Sequence, residues 1–321
     1  MPHEAHAWGA TGHRMIGVIA IRNLPAELPA FVRSEWTAWE VGELAREADR
    51  SRDSGSPHDR DRDPGHFIDA SDDLTIAGAM PLNALPASRE DYDTALRVKG
   101  TDQYRMGFLP YQIIDGWQQL VKDFAYWRAD LAGEKFAGNP AERAWFTADR
   151  ALREQLTIRD LGYWAHFVGD GSQPMHVSVH FDGWGDFPNP QNYATQRGLH
   201  ARFEGAYVHD NIIDADVAAA MTPYSPFTGS IQNRVSNYLL ATQQQVVPLF
   251  ELEKMNAFDA GNASGKPFVI TRLAAGTITL RDMIADAWTA SANVEVGYPG
   301  ISLPTLEQGF SDIFDPLHGE D

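Results

Sequence analysis

Apolar residues recur three or four positions apart over 15–24, 28–48, 110–131, 141–152, 158–171, 199–220, 230–252 and 279–294. That spacing gathers them on one side of a helix, and each such stripe must be buried against another. No stretch alternates apolar and polar residues for more than a few positions, so an all-α chain is predicted. Loops are expected at 51–65, 74–88, 181–198 and 258–266, where Gly, Pro, Asp and Asn cluster. Within the first, residues 59–63 (DRDRD) alternate charge and read as a solvated turn. No internal repeat and no interdomain linker is evident. At 321 residues the expectation is a single mainly helical domain over residues 8–321.

No apolar run approaches the roughly 18 to 20 residues that span a bilayer, so a soluble chain without a membrane-spanning segment is expected. Cysteine is absent, which excludes disulfides and thiolate metal sites and leaves His, Asp and Glu as ligands. The formal charge of −18 argues against a broad basic surface for duplex nucleic acid, so any phosphodiester must be held locally. Bound divalent cations would place positive potential there. Residues 1–7 lack the apolar stretch of a signal peptide, yet Ala5-His6-Ala7 is an Ala-x-Ala cleavage pattern directly before Trp8. We read residues 1–7 as a leader remnant or as residues foreign to the mature chain, with a secreted or periplasmic location.

The most specific segment is 166–176 (HFVGDGSQPMH). His166 and Asp170 lie one helical turn apart on one face, a geometry suited to one metal. Pro174 is expected to end the helix and free His176 to face a second ion. The pair His200 and Glu204, in 198–204 (GLHARFE), has the same spacing and can complete that second site. Neutral imidazole and carboxylate are the ligands zinc accepts without thiolate. Upstream stand 8–13 (WGATGH), 48–52 (ADRSR) and 65–70 (GHFIDA).

In this order the five segments resemble the S1/P1 nuclease family, whose bacterial cousins are the zinc-dependent phospholipases C. The resemblance implies a mainly helical fold with three zinc ions at the base of a cleft. By analogy one zinc takes Asp49, His66, His166 and Asp170. Another takes His176, His200 and Glu204. A third takes His13, Asp170 and the amine and carbonyl of Trp8, so that Asp170 bridges the close pair. Zinc lowers the pKa of bound water toward ~7 and so supplies hydroxide at neutral pH. The expected chemistry is attack on phosphorus by a hydroxide bridging the paired zincs, yielding 5′-nucleotides from single-stranded DNA or RNA. Arg52 matches the family's cationic position beside Asp49. Phe67 and Asp69 match the residues that stack an unpaired base and bond its edge, which would select single strands.

Glu204 departs from the aspartate usual in the nucleases and agrees with the phospholipase C branch. The Trp8 to His13 spacing, the segment 66–70 and the separation of His176 from His200 favour the nuclease branch. A zinc phospholipase C and a zinc-binding protein without turnover therefore stand as alternatives. No stable protein partner is expected. His180 and His209 match no ligand position. Trp184, Phe187 and Tyr193 are candidates for lining a cleft.

Overall fold

The computed structural model describes residues 8–51, 54–55, 57–309 and 313–319. Its long elements are α1 (Gly9–Arg22), α2 (Glu35–Leu44), α3 (Arg89–Val98), α4 (Leu109–Phe136), α5 (Pro140–Asp170), α6 (Ile231–Gln243), α7 (Val246–Lys254) and α8 (Lys266–Ser291). Strand structure among the described residues is limited to two hairpins of two-residue strands, Thr75–Ile76 with Met80–Pro81 and Glu295–Val296 with Ile301–Ser302. The all-α expectation holds.

The boundaries differ from the expected ones for identifiable reasons. The segments 141–152 and 158–171 form one helix, α5, because 153–157 contains no Gly or Pro to interrupt the backbone. Its start is set by Asn139, whose side chain accepts from the Ala141 and Glu142 amides, followed by Pro140 in the first turn. Of 28–48 only α2 is a regular helix. It begins after Ser34, whose hydroxyl accepts from the Thr37 amide at 2.9 Å. The segment 199–220 breaks into short turns, among them a wide π-type turn, Arg202–Tyr207, of the kind that often marks a functional position. The expected solvated turn at 59–63 is instead helical over His58–Arg62 and then tightens into a 3₁₀ turn, Asp63–His66. Pro174 does not end α5, which already stops at Asp170. Instead it opens the next 3₁₀ turn, Pro174–Val177.

Helices α4 and α5 pack along their length and form the spine, and α1, α2 and α8 pack beside them. Helices α1 and α2 can approach closely because glycine meets glycine: a Cβ on Gly17 would lie 3.1 Å from the Gly42 Cα. The main core runs from Trp8 and Ile16 through Phe124 and Trp164 to Leu280 and Met283. A smaller cluster joins Phe146 and Ala129 to Leu303 and Leu306 near the C-terminus. Among the described residues no helix is long and apolar enough to cross a membrane.

Candidate metal centre

Five chain segments deliver His, Asp and Glu side chains to one buried region. The last turn of α5 presents His166 and Asp170, and α1 lays His13 against them, its ring stacked on His166 with centroids 3.9 Å apart. That approach needs Gly169, since a Cβ there would sit 3.0 Å from His13 Nδ1. Asp49 arrives on the short turn after α2, and His66 on the turn Asp63–His66. Asp170 divides its oxygens. Oδ2 lies 3.1 Å from His66 Nδ1 and 3.3 Å from His166 Nε2, while Oδ1 lies 3.4 Å from His13 Nε2. Asp49 Oδ1 is 3.7 Å from His166 Nε2.

A second group forms where His176, on the turn after α5, meets His200 and Glu204. The Nε2 atoms of His176 and His200 are 3.0 Å apart, and Glu204 Oε2 is 2.7 Å from His200 Nε2 and 3.8 Å from His176 Nε2. Three sets of potential ligand atoms thus come within 4.8 Å of one another: His13, His166 and Asp170; Asp49, His66 and His166; His176, His200 and Glu204. The first two share His166.

Backbone carbonyls fix which nitrogen of three rings faces the group interior. His166 Nδ1 is 2.7 Å from the Ala45 carbonyl, His176 Nδ1 is 2.6 Å from the His66 carbonyl, and His200 Nδ1 is 2.5 Å from the Phe181 carbonyl. A carbonyl only accepts, so each Nδ1 carries a proton and each ring turns its Nε2 inward. The Nε2 atoms of His176 and His200 face one another beside the Glu204 carboxylate, and Glu204 raises the pKa of His200 against its burial. A proton, or a bound cation in its place, bridges this convergence of acceptors.

The electrostatics lead to the same place. Burial opposes charge on His166, but Asp170 and Asp49 outweigh it and lift its pKa to about 9. Burial likewise opposes ionisation of Asp170, yet His166 and His176 hold it well below the ordinary carboxylate range. Burial and the neighbouring His166 lower His13. Both ring nitrogens of His13, fully buried, lack a hydrogen-bond partner among the described residues. Buried polar atoms are almost always satisfied, so an imidazole left in this condition beside carboxylates fits a metal ligand. Imidazole nitrogens and carboxylate oxygens without sulfur suit zinc.

Other expected site residues divide. Trp8 is buried, its indole Nε1 donating to Ser172 Oγ at 2.7 Å and its carbonyl accepting from the Gly12 amide. It sits just over one helical turn before His13, and its bond to Ala7 lies outside the described residues, as does Arg52. Phe67 and Asp69 follow His66 directly and are half-buried. Burial pushes the Asp69 carboxyl up to about 7. His209 is exposed beside Asp210. Trp184 and Tyr193 are buried packing residues, while Phe187 is exposed.

Several residues outside the matched positions support the two groups. Gln173 donates from Nε2 to Glu204 Oε2 at 2.9 Å and accepts the Met175 amide on Oε1, orienting one member of the second group. Asp182 accepts both the Gly198 and His200 amides. His180, stacked on Trp184, bonds Asp72 and the Trp184 carbonyl, tying down the loop that supplies the Phe181 carbonyl. Only the position of Gln173 between Asp170 and His176 signals its role in the sequence.

No family model matches the chain, and no curated protein matches it. Among solved structures it is similar to the alpha-toxin of Clostridium perfringens isolated from avian strain SWCP. The match has a TM-score of 0.42 and 12% identity, and covers 92% of this chain and 69% of that chain. At that level of likeness, function has to be read from the residues themselves.

Proposed function

We propose that the chain, as one domain over residues 8–321, is a zinc-dependent phosphodiesterase that hydrolyses single-stranded nucleic acid to 5′-nucleotides. The observation that carries this reading is the convergence of three His/Asp/Glu sets in one buried region, with the Nε2 atoms of His166, His176 and His200 aimed inward. Three zinc ions would be held by Asp49, His66, His166 and Asp170; by His13, Asp170 and the Trp8 backbone; and by His176, His200 and Glu204. Bound zinc supplies Lewis-acid polarisation of a phosphoryl oxygen and acidification of water.

The chain's own groups prepare that chemistry. Asp170 stays ionised among imidazoles and offers one oxygen to each of two sets. The Ala45, His66 and Phe181 carbonyls hold the Nδ1 protons of His166, His176 and His200, which turns each Nε2 toward the carboxylates of its group. Phe67 offers a ring face to an unpaired base, and Asp69 a carboxyl for its edge. Arg52 adds a cation for the phosphate. Export and removal of residues 1–7 would give Trp8 a free amine, which releases its proton to a metal far more readily than an amide.

Glu204, where the nuclease pattern has aspartate, favours a second reading as a phospholipase C. The two separate in side-by-side assays of zinc-loaded protein on single-stranded DNA and RNA and on phosphatidylcholine vesicles. Release of 5′-nucleotides with little phosphocholine is expected. Phosphocholine release alone would overturn the nuclease reading, and neither product from a zinc-loaded chain would leave a binding protein.

A further inference from the structure

The acidic surface of the chain is interrupted beside the metal centre. Two adjoining clefts of about 360 Å³ and 300 Å³ share the side chains of Arg62, Arg159 and Tyr163, and so form one continuous groove. Arg50 lines the first and Arg89 the second. Four guanidinium groups thus face a groove whose lining, among the described residues, includes two carboxylates, Glu47 and Asp61. The whole chain carries 44 acidic against 26 basic residues, so the local balance reverses the global one. Some of this charge is neutralised, since Arg50 pairs with Glu47 at 2.9 Å and Arg159 with Asp160 at 2.5 Å. Arg50, Arg62 and Arg159 are nonetheless exposed.

The groove and the metal centre are built from adjoining residues of the same segments. Arg50 follows Asp49 in the same short turn, and Arg62 immediately precedes the turn that ends in His66. Along α5, Tyr163 and Arg159 come three and seven residues before His166, so the groove wall extends about 10 Å from the centre at 1.5 Å per residue. Aromatic rings are interleaved with the cations. The Arg89 guanidinium lies 3.9 Å from the Phe108 ring centroid, and that of Arg159 lies 5.6 Å from the centroid of Tyr163. A positive groove with aromatic faces is the arrangement that tracks the backbone of a single strand while tolerating any base.

We propose that this groove, lined by Arg50, Arg62, Arg89 and Arg159, binds the phosphates of a single-stranded polynucleotide beyond the one being cleaved. Its substrate class rests on the phosphodiesterase reading, but its cation lining does not. The groove gives an acidic protein a confined cationic track, in place of the broad basic face that its composition excludes. It also separates polymers from monomeric phosphodiesters, because a dinucleotide or a lipid headgroup has no further phosphate to place there.

The test compares the zinc-loaded wild type with a double variant, Arg62→Gln with Arg159→Gln. Binding of a hydrolysis-resistant phosphorothioate thymidine 12-mer is followed by fluorescence anisotropy across a salt series. The double variant is expected to bind about tenfold more weakly, with a log–log salt slope shallower by about 1.4, at ~0.7 per lost single-strand phosphate contact. The ratio of kcat/KM for a cleavable 12-mer to that for dithymidylate should fall by a similar factor. The Lys versions of the same positions should restore the slope, which a merely structural defect would not allow. Unchanged affinity and slope, or parallel loss on the 12-mer and the dinucleotide, would overturn the groove while leaving the hydrolase reading intact. Arginine-dependent binding of the 12-mer without cleavage of any phosphodiester would uphold the groove and remove the hydrolase.

Discussion

Two buried carboxyl groups in the α4–α5 spine meet opposite fates. At the C-terminal end of α5, Asp170 is fully buried among His13, His66, His166 and His176, and is held ionised. Further back in the seam, Asp130 of α4 is equally buried, but the side chain it faces is Asp149 of α5. Burial and that second carboxylate push its pKa up to about 8. Its neighbour Asp123 is lifted to about 6, largely by burial, while Gln119 bridges Asp123 and Asp160 with bonds of 3.0 Å. Burial alone therefore marks neither a site nor a role. The sign of the surrounding charge decides whether a buried carboxyl stays ionised or becomes a protonated packing group.

The largest effect that this contrast predicts follows from removing the charge at the ionised end. Asp170→Asn takes a ligand oxygen from two sets at once, whereas Glu204→Gln affects one set. Perturbing even the groups behind metal ligands costs about 10- to 100-fold in affinity or activity. Asp170→Asn should therefore lower zinc content and cost at least about 100-fold in turnover, with Glu204→Gln losing less. Zinc analysis after dialysis, alongside initial rates, measures both. A fully active Asp170→Asn protein would erase the distinction between the two ends.

The next effect has the opposite sign. Asp130 is protonated in the folded chain up to about pH 8 but ionises near ~3.9 when unfolded. Between those values the unfolded chain binds fewer protons, so this group makes stability fall as pH rises, and its contribution levels off above the folded pKa. Asp130→Asn keeps the shape and a donor for Asp149 while removing the titration. It should flatten that decline and raise stability at pH 8 by an amount of the order of a few kcal/mol, because each pH unit between the unfolded and folded pKa values corresponds to ~1.4 kcal/mol. Urea unfolding at pH 5, 6.5 and 8 reads the slope. A variant less stable than wild type at pH 8 would mean that the Asp130 charge is satisfied in the fold.

The two regions were unequally legible in the sequence. At the metal centre the helical spacing of His166 with Asp170 and of His200 with Glu204 was visible, because ligands one turn apart must share a face. The meeting of those turns with His13, Asp49 and His66 depends on tertiary packing, and only the family resemblance anticipated it. The carbonyls of Ala45 and Phe181 leave no mark in the sequence, since any residue supplies one. In the seam, Asp123, Asp130, Asp149 and Asp160 read as ordinary polar positions of two long helices. The burial of Asp123 and Asp130 follows from the close approach of α4 to α5, which spacing does not encode. The helix α3 was missed because only Tyr92 and Leu96 of its ten residues are buried. The Arg groove was missed because its cations come from separate segments of an acidic chain.

The smallest predicted effect tests whether neutral hydrogen bonds around the ionised end matter as its charges do. Ser172 sits two residues after Asp170, accepts the Trp8 indole N–H at 2.7 Å and donates to the Gly169 carbonyl at 2.8 Å. Ser172→Ala leaves the Trp8 donor buried without that acceptor, which costs about 1 to 3 kcal/mol. For a chain of this size each kcal/mol corresponds to roughly 1.5 °C in Tm, so calorimetry of the zinc-loaded protein should register a loss of a few degrees. A bulkier replacement is not a fair control, since a Cβ on Gly276 would already lie only 2.8 Å from Ser172 Oγ. Zinc titration should show at most a few-fold weakening at one site, because the substitution loosens the anchor of Trp8 without touching an imidazole or carboxylate. Loss of zinc comparable to that of Asp170→Asn would show that the Trp8 anchor, rather than the charge on Asp170, holds this end of the spine together. An unchanged Tm would place the indole within reach of water and leave the charged groups as the only source of the contrast with the seam.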